Sequence, residues 1–217
     1  MDKSLEQLLE SLEDYWRKID LPLLAKLEPG IDPDGIEPRN FDGVLPQELK
    51  ALYKWKNGIK PEFATDLIGR LSLFSGGIPM PMPKVWWVQD TMGGAGDLAV
   101  GSAGDLGVSG AGDLGWSRTK IPIFESGGGE FFLLDCDVTT PEFGQILFYS
   151  PGSIDFDLTI SIYDSLITLF QTVLQSYKAG LYQVDDNQMM VVADYPKLHR
   201  LEKELNPKSG YWKLFDW

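Results

Sequence analysis

The sequence predicts an α+β fold in which a mainly antiparallel sheet packs with helices on one face. Near both ends of the chain, apolar residues recur at three- and four-residue spacing, which indicates two amphipathic helices: Leu5, Leu8, Leu9, Leu12, Tyr15, Trp16 and Ile19, then Tyr163, Leu166, Ile167, Phe170, Val173, Leu174 and Tyr177. Between them, three short apolar segments bounded by Gly or Pro are typical of successive antiparallel strands: 120–124, 131–135 and 145–149. Helices, then a block of strands, then helices favour this class over alternating βαβ units.

The outer helices carry recognisable start and stop signals. Ser4 and Gln7 have the spacing of a capping box ahead of the first stripe. The following segment, 28–43, is rich in Pro, Gly and Asp and is predicted to be a loop. Gly180 ends the second stripe, and Asp194 is placed to cap a final helix that carries a third set of apolar residues, Leu198, Leu201 and Leu205.

A further short helix is predicted over 45–58. Pro46 suits its first turn, where a missing N–H is not needed, and Asn57-Gly58 can adopt the left-handed conformation that ends a helix. Leu49, Leu52 and Tyr53 form its apolar face, so we expect this helix to brace the sheet.

The segment after this helix is predicted to be extended. Residues 67–74 and 85–88 have the apolar content of strands. The alternating prolines of 75–83 remove hydrogen-bond donors, which predicts a polyproline-like surface segment rather than a regular strand. The glycines at 127–129 join two predicted strands and indicate a hairpin turn.

An octapeptide repeat interrupts the predicted sheet. Three similar Gly/Asp-rich units occupy 95–102, 103–110 and 111–118, and each begins Ala-Gly-Asp-Leu. The calcium-binding β-roll has a period of nine and a different Gly/Asp spacing, so its ligand geometry does not carry over. An even period keeps the leucines on one side of an extended chain, which favours a loop lying against the sheet. A mobile linker tolerated at a loop tip is the alternative.

Composition and charge limit the classes of partner. The net charge is −13, and residues 1–50 hold twelve acidic against six basic side chains. The negative electrostatic field of this charge repels the phosphate backbones of nucleic acids and attracts basic proteins. We therefore expect no nucleic-acid binding. No apolar run approaches the length of a membrane span, and the N-terminus lacks the layout of a signal peptide. The single cysteine rules out an internal disulfide, which fits a reducing compartment. Together, these observations predict a chain that is cytoplasmic and not membrane-bound.

No catalytic or metal-binding constellation is evident. His199 is the only histidine and lies on a helix predicted to be peripheral, and Cys136 lies between two aspartates that disfavour a thiolate. These counts exclude metal sites of the His/Cys type. Two pairs of acids could in principle hold calcium but are better explained as solvated loop charge: Asp155 with Asp157 and Asp185 with Asp186. We therefore predict no cofactor, no metal and no catalytic residue.

Several motifs, in this order and spacing, resemble the SUKH superfamily, the Smi/Knr cell-wall-regulator type of domain. They are the predicted helix at 45–58, Trp116, Ile121-Pro122-Ile123, Gly127-Gly128-Gly129-Glu130, Asp135 and Gly144-Gln145-Ile146. The positions taken as family scaffold are Leu45, Pro46, Asn57, Gly58, Trp116, Pro122 and Asp135. The resemblance covers about 12–180 and implies one domain over 1–217, with a repeat insertion at 93–118 and a helical extension at 181–217.

Members of this superfamily have no known catalytic centre and act mainly as protein-binding modules, many as bacterial immunity proteins. The resemblance therefore implies a module that binds a basic protein, such as a toxin domain, through an acidic surface. The expected contacts are Asp97, Asp105 and Asp113 in the insertion, with Trp86 or Trp87 as apolar anchor. The alternatives are a regulatory scaffold of cell-wall synthesis, a carboxylate-dependent hydrolase and a calcium-stabilised module.

Overall fold

The computed structural model describes residues 3–32, 36, 41–92, 116–150 and 159–214. Helices in these ranges are α1 (Leu5–Lys18), α2 (Leu23–Lys26), α3 (Gln47–Trp55), α4 (Ile68–Leu71), α5 (Met82–Met92), α6 (Leu166–Lys178) and α7 (Tyr195–Leu205), with 3₁₀ turns at Pro61–Phe63 and Tyr211–Lys213. The strands are β1 (Leu27–Pro29), β2 (Lys56–Ile59), β3 (Ile78–Pro79), β4 (Lys120–Glu125), β5 (Phe131–Asp135), β6 (Ile146–Tyr149), β7 (Thr159–Tyr163), β8 (Tyr182–Val184) and β9 (Met190–Val192).

The main sheet has five antiparallel strands in the order β3-β4-β5-β6-β7. The turn between β4 and β5 contains Gly127 and Gly129 at φ +79° and +101°, a conformation that side chains with a Cβ rarely adopt. The remaining strands form two small antiparallel pairs, β1-β2 and β8-β9. The predicted α+β class with a mainly antiparallel sheet is confirmed, as are the three strands predicted at 120–124, 131–135 and 145–149.

Three helices, α1, α3 and α6, pack on one another through aromatic rings. The Trp16 ring centroid lies 5.9 Å from that of Trp55 and 5.9 Å from that of Tyr177, and the Trp55 ring lies 6.1 Å from Phe170. The predicted capping box of α1 is confirmed, because the Ser4 and Gln7 side chains each accept a hydrogen bond from the other residue's backbone N–H. Because Trp16 is fully buried, α1 is part of the core.

Both faces of the main sheet are covered by aromatic side chains. On one face, the Phe74 ring contacts Phe124, Phe132 and Tyr163 at centroid distances of 5.2, 5.1 and 5.9 Å. On the other face, the buried Trp116 ring contacts Phe131 and Tyr149, which pair with each other across β5 and β6. Helix α5 lies against this second face, where Gln89 Oε1 accepts a hydrogen bond from Trp116 Nε1 at 3.1 Å.

The prediction of strands at 67–74 and 85–88 is wrong. The first segment contains α4 and then a tight turn closed by a bridge between Phe74 and Gly77. The second lies within α5, whose first turn accommodates Pro83 because no intrahelical N–H is needed there. Short apolar runs do not distinguish a buried helix from a strand by periodicity, and tertiary packing decided both cases.

The polyproline-like surface segment predicted at 75–83 is also wrong. Ile78 and Pro79 form β3, which pairs with the end of β4 at the edge of the sheet. Pro79 is tolerated at this edge because its missing N–H removes no ladder bond. Met80 and Met82 are buried, with 1% and 5% of their surface exposed, so the segment belongs to the core.

The helix predicted over 45–58 is shorter than expected and ends differently. It ends at Trp55, and Asn57 and Gly58 belong to β2 instead of terminating the helix. Gly58 has φ +79°, and a Cβ at this position would lie 2.3 Å from Pro81 N, so glycine allows the two segments to approach. Asn57 Oδ1 accepts a hydrogen bond from Met82 N at 3.0 Å, which joins β2 to the start of α5.

Asp66 forms an ion pair that should make stability depend on pH. Its Oδ2 lies 2.5 Å from Lys26 Nζ, which is 9% exposed, and this contact holds the pKa of Asp66 below its ordinary 3.8. A lowered pKa adds stability above the unfolded-state value that is lost as the pH falls through the folded-state value. Asp66→Asn should therefore lower the thermal unfolding midpoint at pH 7, and the difference from wild type should shrink below pH 3.8. Glu62→Gln, a neighbouring exposed acid, is the control, and an unchanged midpoint for Asp66→Asn would contradict the assignment.

Candidate protein-binding face

The predicted contact residues lie in or beside the octapeptide insertion. Asp97, Asp105 and Asp113 lie outside the described residues, so their positions stay a prediction. Trp86 and Trp87 lie on α5 rather than on a strand. Trp86 packs partly against the core, whereas Trp87 is 65% exposed, so Trp87 is the one of the pair that a partner can reach.

The predicted scaffold positions have structural roles. Pro46 caps the start of α3 and Leu45 packs against the core beside it. Pro122 pairs with Leu133 within the sheet, and Trp116 is buried beneath α5. Asp135 is 2% exposed at the end of β5, and its Oδ1 accepts a hydrogen bond from Asp137 N at 2.8 Å.

Asp135 organises the connection between β5 and β6. Its backbone N–H donates to Gln145 O, and its carbonyl accepts a hydrogen bond from Gly144 N at 2.8 Å. Burial raises the pKa of its carboxyl, while the Asp137 N–H and the Lys120 ammonium, 3.8 Å from Oδ2, favour the ionised form. These bonds hold residues 136–143 as a defined turn at one end of the sheet.

This turn presents apolar side chains to solvent. Val138 is 59% exposed and Phe143 is 40% exposed. Val44, 52% exposed, is joined to the start of this turn, because its N–H donates to Cys136 O at 2.9 Å. Exposed apolar side chains that cluster in this way are a feature of interaction sites, whereas isolated ones are ordinary.

A pocket of about 180 Å³ lies next to Phe143. It is lined by residues from four segments of the chain: Pro46, Glu48, Leu134, Phe143, Gly144, Asp164, Ser165 and Leu166. Asp164 Oδ2 accepts a hydrogen bond from Lys208 N, but its buried Oδ1 accepts none from the residues that the structure describes. A buried acceptor without a donor is costly, so Asp164 favours a ligand group that donates a hydrogen bond.

Carboxylates lie in the same turn as Val138 and Phe143 and in the lining of the pocket beside Phe143. Asp137 is held in its charged form because the Thr139 hydroxyl and N–H both donate to its Oδ1, which lowers its pKa. Glu142 lies in the same turn, and its charge acts on Asp135 together with that of Asp137. We call this surface the acidic face; it comprises Glu48, Asp137, Glu142 and Asp164 together with Val44, Val138 and Phe143.

Trp87 lies toward the opposite end of β4 from the acidic face. Lys84, one helical turn before Trp87, pairs with Glu125 at the end of this strand. Lys120, at the start of the strand, pairs with Asp135. Six residues of strand span about 17 Å, so the two surfaces are separate.

The residues considered for chemistry are not arranged as a nucleophile and base. Cys136 is fully buried, and burial raises the pKa of its thiol, so the thiolate is disfavoured. His199 is not a freely exposed surface residue, since its side chain is 26% exposed and its Nδ1 lies 3.3 Å from Glu202 Oε2. Within the described ranges, no group of three or more His, Cys, Asp or Glu side chains has the arrangement of a metal site.

The architecture and the motifs define a class of protein, an α+β domain of SUKH type. The chain belongs to the SMI1/KNR4 family (SUKH-1), whose family model matches residues 39–172. This match confirms the resemblance to the SUKH superfamily that the sequence motifs indicated. The matched region contains every residue of the acidic face, whereas α1 and α7 lie outside it.

Comparison with curated proteins returned no match. None of the described helices combines the length and apolar character needed to cross a bilayer.

The acidic face was not predicted from the sequence. Its signal was present, because two pairs of an acidic and an apolar residue, Asp137-Val138 and Glu142-Phe143, follow a predicted strand. The contributions of Val44 and Asp164 arise only when the chain folds, since they come from segments distant in sequence.

Proposed function

We propose that this chain is a non-enzymatic protein-binding domain that acts in the cytoplasm as an immunity protein. It binds a basic toxin domain through the acidic face and blocks access to the toxin's substrate-binding surface. The observation that carries the proposal is the presence of exposed apolar side chains and carboxylates together on the turn at 136–143 and around the adjoining pocket. The membership of the SMI1/KNR4 family supports a binding role over catalysis.

The chemistry of the face suits a basic partner. The net charge of −13 attracts such a partner from a distance and raises its association rate. Phe143 and Val138 supply apolar contact area, which carries binding energy when it is desolvated. The charge of Asp164 would attract a Lys or Arg side chain of the partner that enters the adjacent pocket. The same field disfavours nucleic acids.

The octapeptide insertion is proposed as a second contact. Asp97, Asp105 and Asp113 would add regularly spaced acceptors, and Trp87, on α5 just before this segment, would add an apolar contact. If the insertion contacts the partner, replacing the three aspartates by Asn should weaken the complex. Unchanged affinity in this variant would mean that the aspartates of the insertion do not contribute to binding and that the acidic face binds the partner without them.

A regulatory scaffold of cell-wall synthesis is the second candidate, since the family includes both roles. Both candidates use a protein-binding surface and differ in the partner. A partner that is a toxin supports the immunity role, and a partner from the cell-wall synthesis machinery supports the regulatory role.

The proposed function predicts a salt-sensitive complex with a basic protein. Proteins encoded beside this chain should be tested first, by purified pairwise binding at low and high ionic strength. We expect the association rate to fall by about tenfold or more between low and high salt, because long-range steering is screened. A complex whose association rate does not change with salt, or a partner of acidic character, would contradict the proposal.

A further inference from the structure

A second cavity lies between the main sheet, which belongs to the region matched by the family model, and the C-terminal segment that follows this region. It has a volume of about 190 Å³ and is bounded by side chains of β5, β6 and β7 on one side and by α7 and the Tyr211–Lys213 turn on the other. Ser75, Gly76 and Tyr195 are exposed at its rim, and Tyr195 is 56% exposed. The cavity is therefore accessible from solvent.

Aromatic rings form its wall in an almost continuous series. Consecutive ring centroids lie 5.3 Å apart from Phe132 to Phe148, 6.3 Å from Phe148 to Tyr211 and 4.8 Å from Tyr211 to Trp212. His199 continues the series at 5.4 Å from Trp212. The faces of such rings carry partial negative charge and attract cations.

One carboxylate lies in the wall of this aromatic cavity. Glu202 lines the cavity, and its side chain is only 3% exposed. Its Oε1 accepts a long hydrogen bond of 3.4 Å from Tyr163 Oη, while its Oε2 accepts no hydrogen bond of good geometry within the described ranges. His199 Nδ1 lies 3.3 Å from Oε2, and the imidazole carries a positive charge only when it is protonated. A buried carboxylate in this setting is stabilised by a bound positive charge.

The composition of the lining favours an organic cation over a metal ion. Calcium takes six to eight oxygen ligands and magnesium demands near-octahedral oxygen geometry. Here one carboxylate is surrounded mainly by rings, and Glu202 belongs to no metal-like cluster among the described residues. Quaternary ammonium groups, which cannot donate N–H hydrogen bonds, are bound in proteins by aromatic faces of this kind.

We propose that the aromatic cavity around Glu202 binds a methylated ammonium group, with Glu202 supplying the counter-charge and the Phe148–Tyr211–Trp212 rings supplying cation–π contacts. The cavity is large enough, because an apolar cavity of about 150 Å³ accommodates benzene, which has more heavy atoms than tetramethylammonium. The group could be carried by a choline-type small molecule or by a trimethylated lysine of a protein. This site is distinct from the acidic face, so either proposal can fail without the other.

Titration calorimetry with tetramethylammonium and choline chlorides tests the site in the full-length protein. We expect saturable binding of both, and at least tenfold weaker binding of 3,3-dimethylbutanol, the uncharged carbon analogue of choline. Glu202→Gln, which keeps the side-chain shape but removes the charge, should weaken choline binding by about tenfold. Glu204→Gln, an exposed acid on the same helix, should leave it unchanged.

Three results would overturn the proposal: no heat of binding for either cation, equal binding of the uncharged analogue, or equal affinity in Glu202→Gln and wild type. Tyr195→Ala at the exposed rim is a second variant that should fold normally, and it should also weaken choline binding. Thermal unfolding of each variant without ligand separates lost binding from lost folding. A trimethyl-lysine peptide and free choline, titrated in parallel, distinguish the two sources by their relative affinities.

Discussion

Replacing Trp16 by alanine should lower the free energy of unfolding by about 3–5 kcal/mol, the range for truncating a large buried aromatic side chain. Trp16 is fully buried and contacts Trp55 of α3 and Tyr177 of α6. Removing the Trp16 ring would leave a cavity where the three helices meet. The cavity would stay largely open, because each helix is held in place by its contacts with the others. Chemical denaturation monitored by circular dichroism measures the change.

Trp87→Ala is the matched control, because it removes the same side chain from a 65% exposed site. We expect it to change the free energy of unfolding by no more than about 0.5 kcal/mol. The comparison also tests the proposed single domain over 1–217, since α1 precedes the matched region at 39–172. If Trp16→Ala changed the free energy of unfolding as little as Trp87→Ala, α1 would not contribute to the stability of the core.

Reversing two charges on the acidic face should weaken partner binding by about 10- to 100-fold. The variant is Glu48→Lys with Glu142→Lys. Among the residues that the structure describes, the Glu48 and Glu142 carboxylates accept no hydrogen bond, whereas those of Asp137 and Asp164 do. Like charges would then face a basic partner, which slows association and adds repulsion in the complex. Surface plasmon resonance with the purified partner separates the two rates.

Glu62→Lys with Glu204→Lys is the control for this variant. Both residues are exposed and lie outside the acidic face, and the net charge changes by the same amount. We expect this control to reduce the association rate only slightly, because distant surface charges are screened within about 10 Å. Equal losses in both variants would mean that the partner responds to overall charge and not to the face.

Local sequence signals predicted the elements whose structure depends on short-range interactions. Ser4 and Asp194 cap their helices as predicted, because a side-chain oxygen needs only the backbone two or three residues ahead. The β4–β5 hairpin was predicted for a similar reason, since its glycines adopt conformations set by the turn itself.

Elements that depend on tertiary packing were predicted poorly. The apolar run at 85–88 forms a helix because α5 covers one face of the sheet beside Trp116. Pro79 lies in a strand because that strand is at the edge. The Glu202 cavity was not predicted at all, since it joins β5–β7 with a segment about 50 residues later and no motif marks it. Helical spacing indicated a final helix but not the surface on which it would pack.

Hydrogen exchange of the complex, measured residue by residue, locates the surface that the partner covers. Partner binding should slow exchange of amides in 42–48 and 136–145, the backbone segments that carry most of the acidic face. Amides of the buried strands, such as 131–134, should be unaffected because they are already protected. Protection confined to α5 and the insertion at 93–118, with 42–48 and 136–145 unchanged, would contradict the assignment of the acidic face as the binding surface.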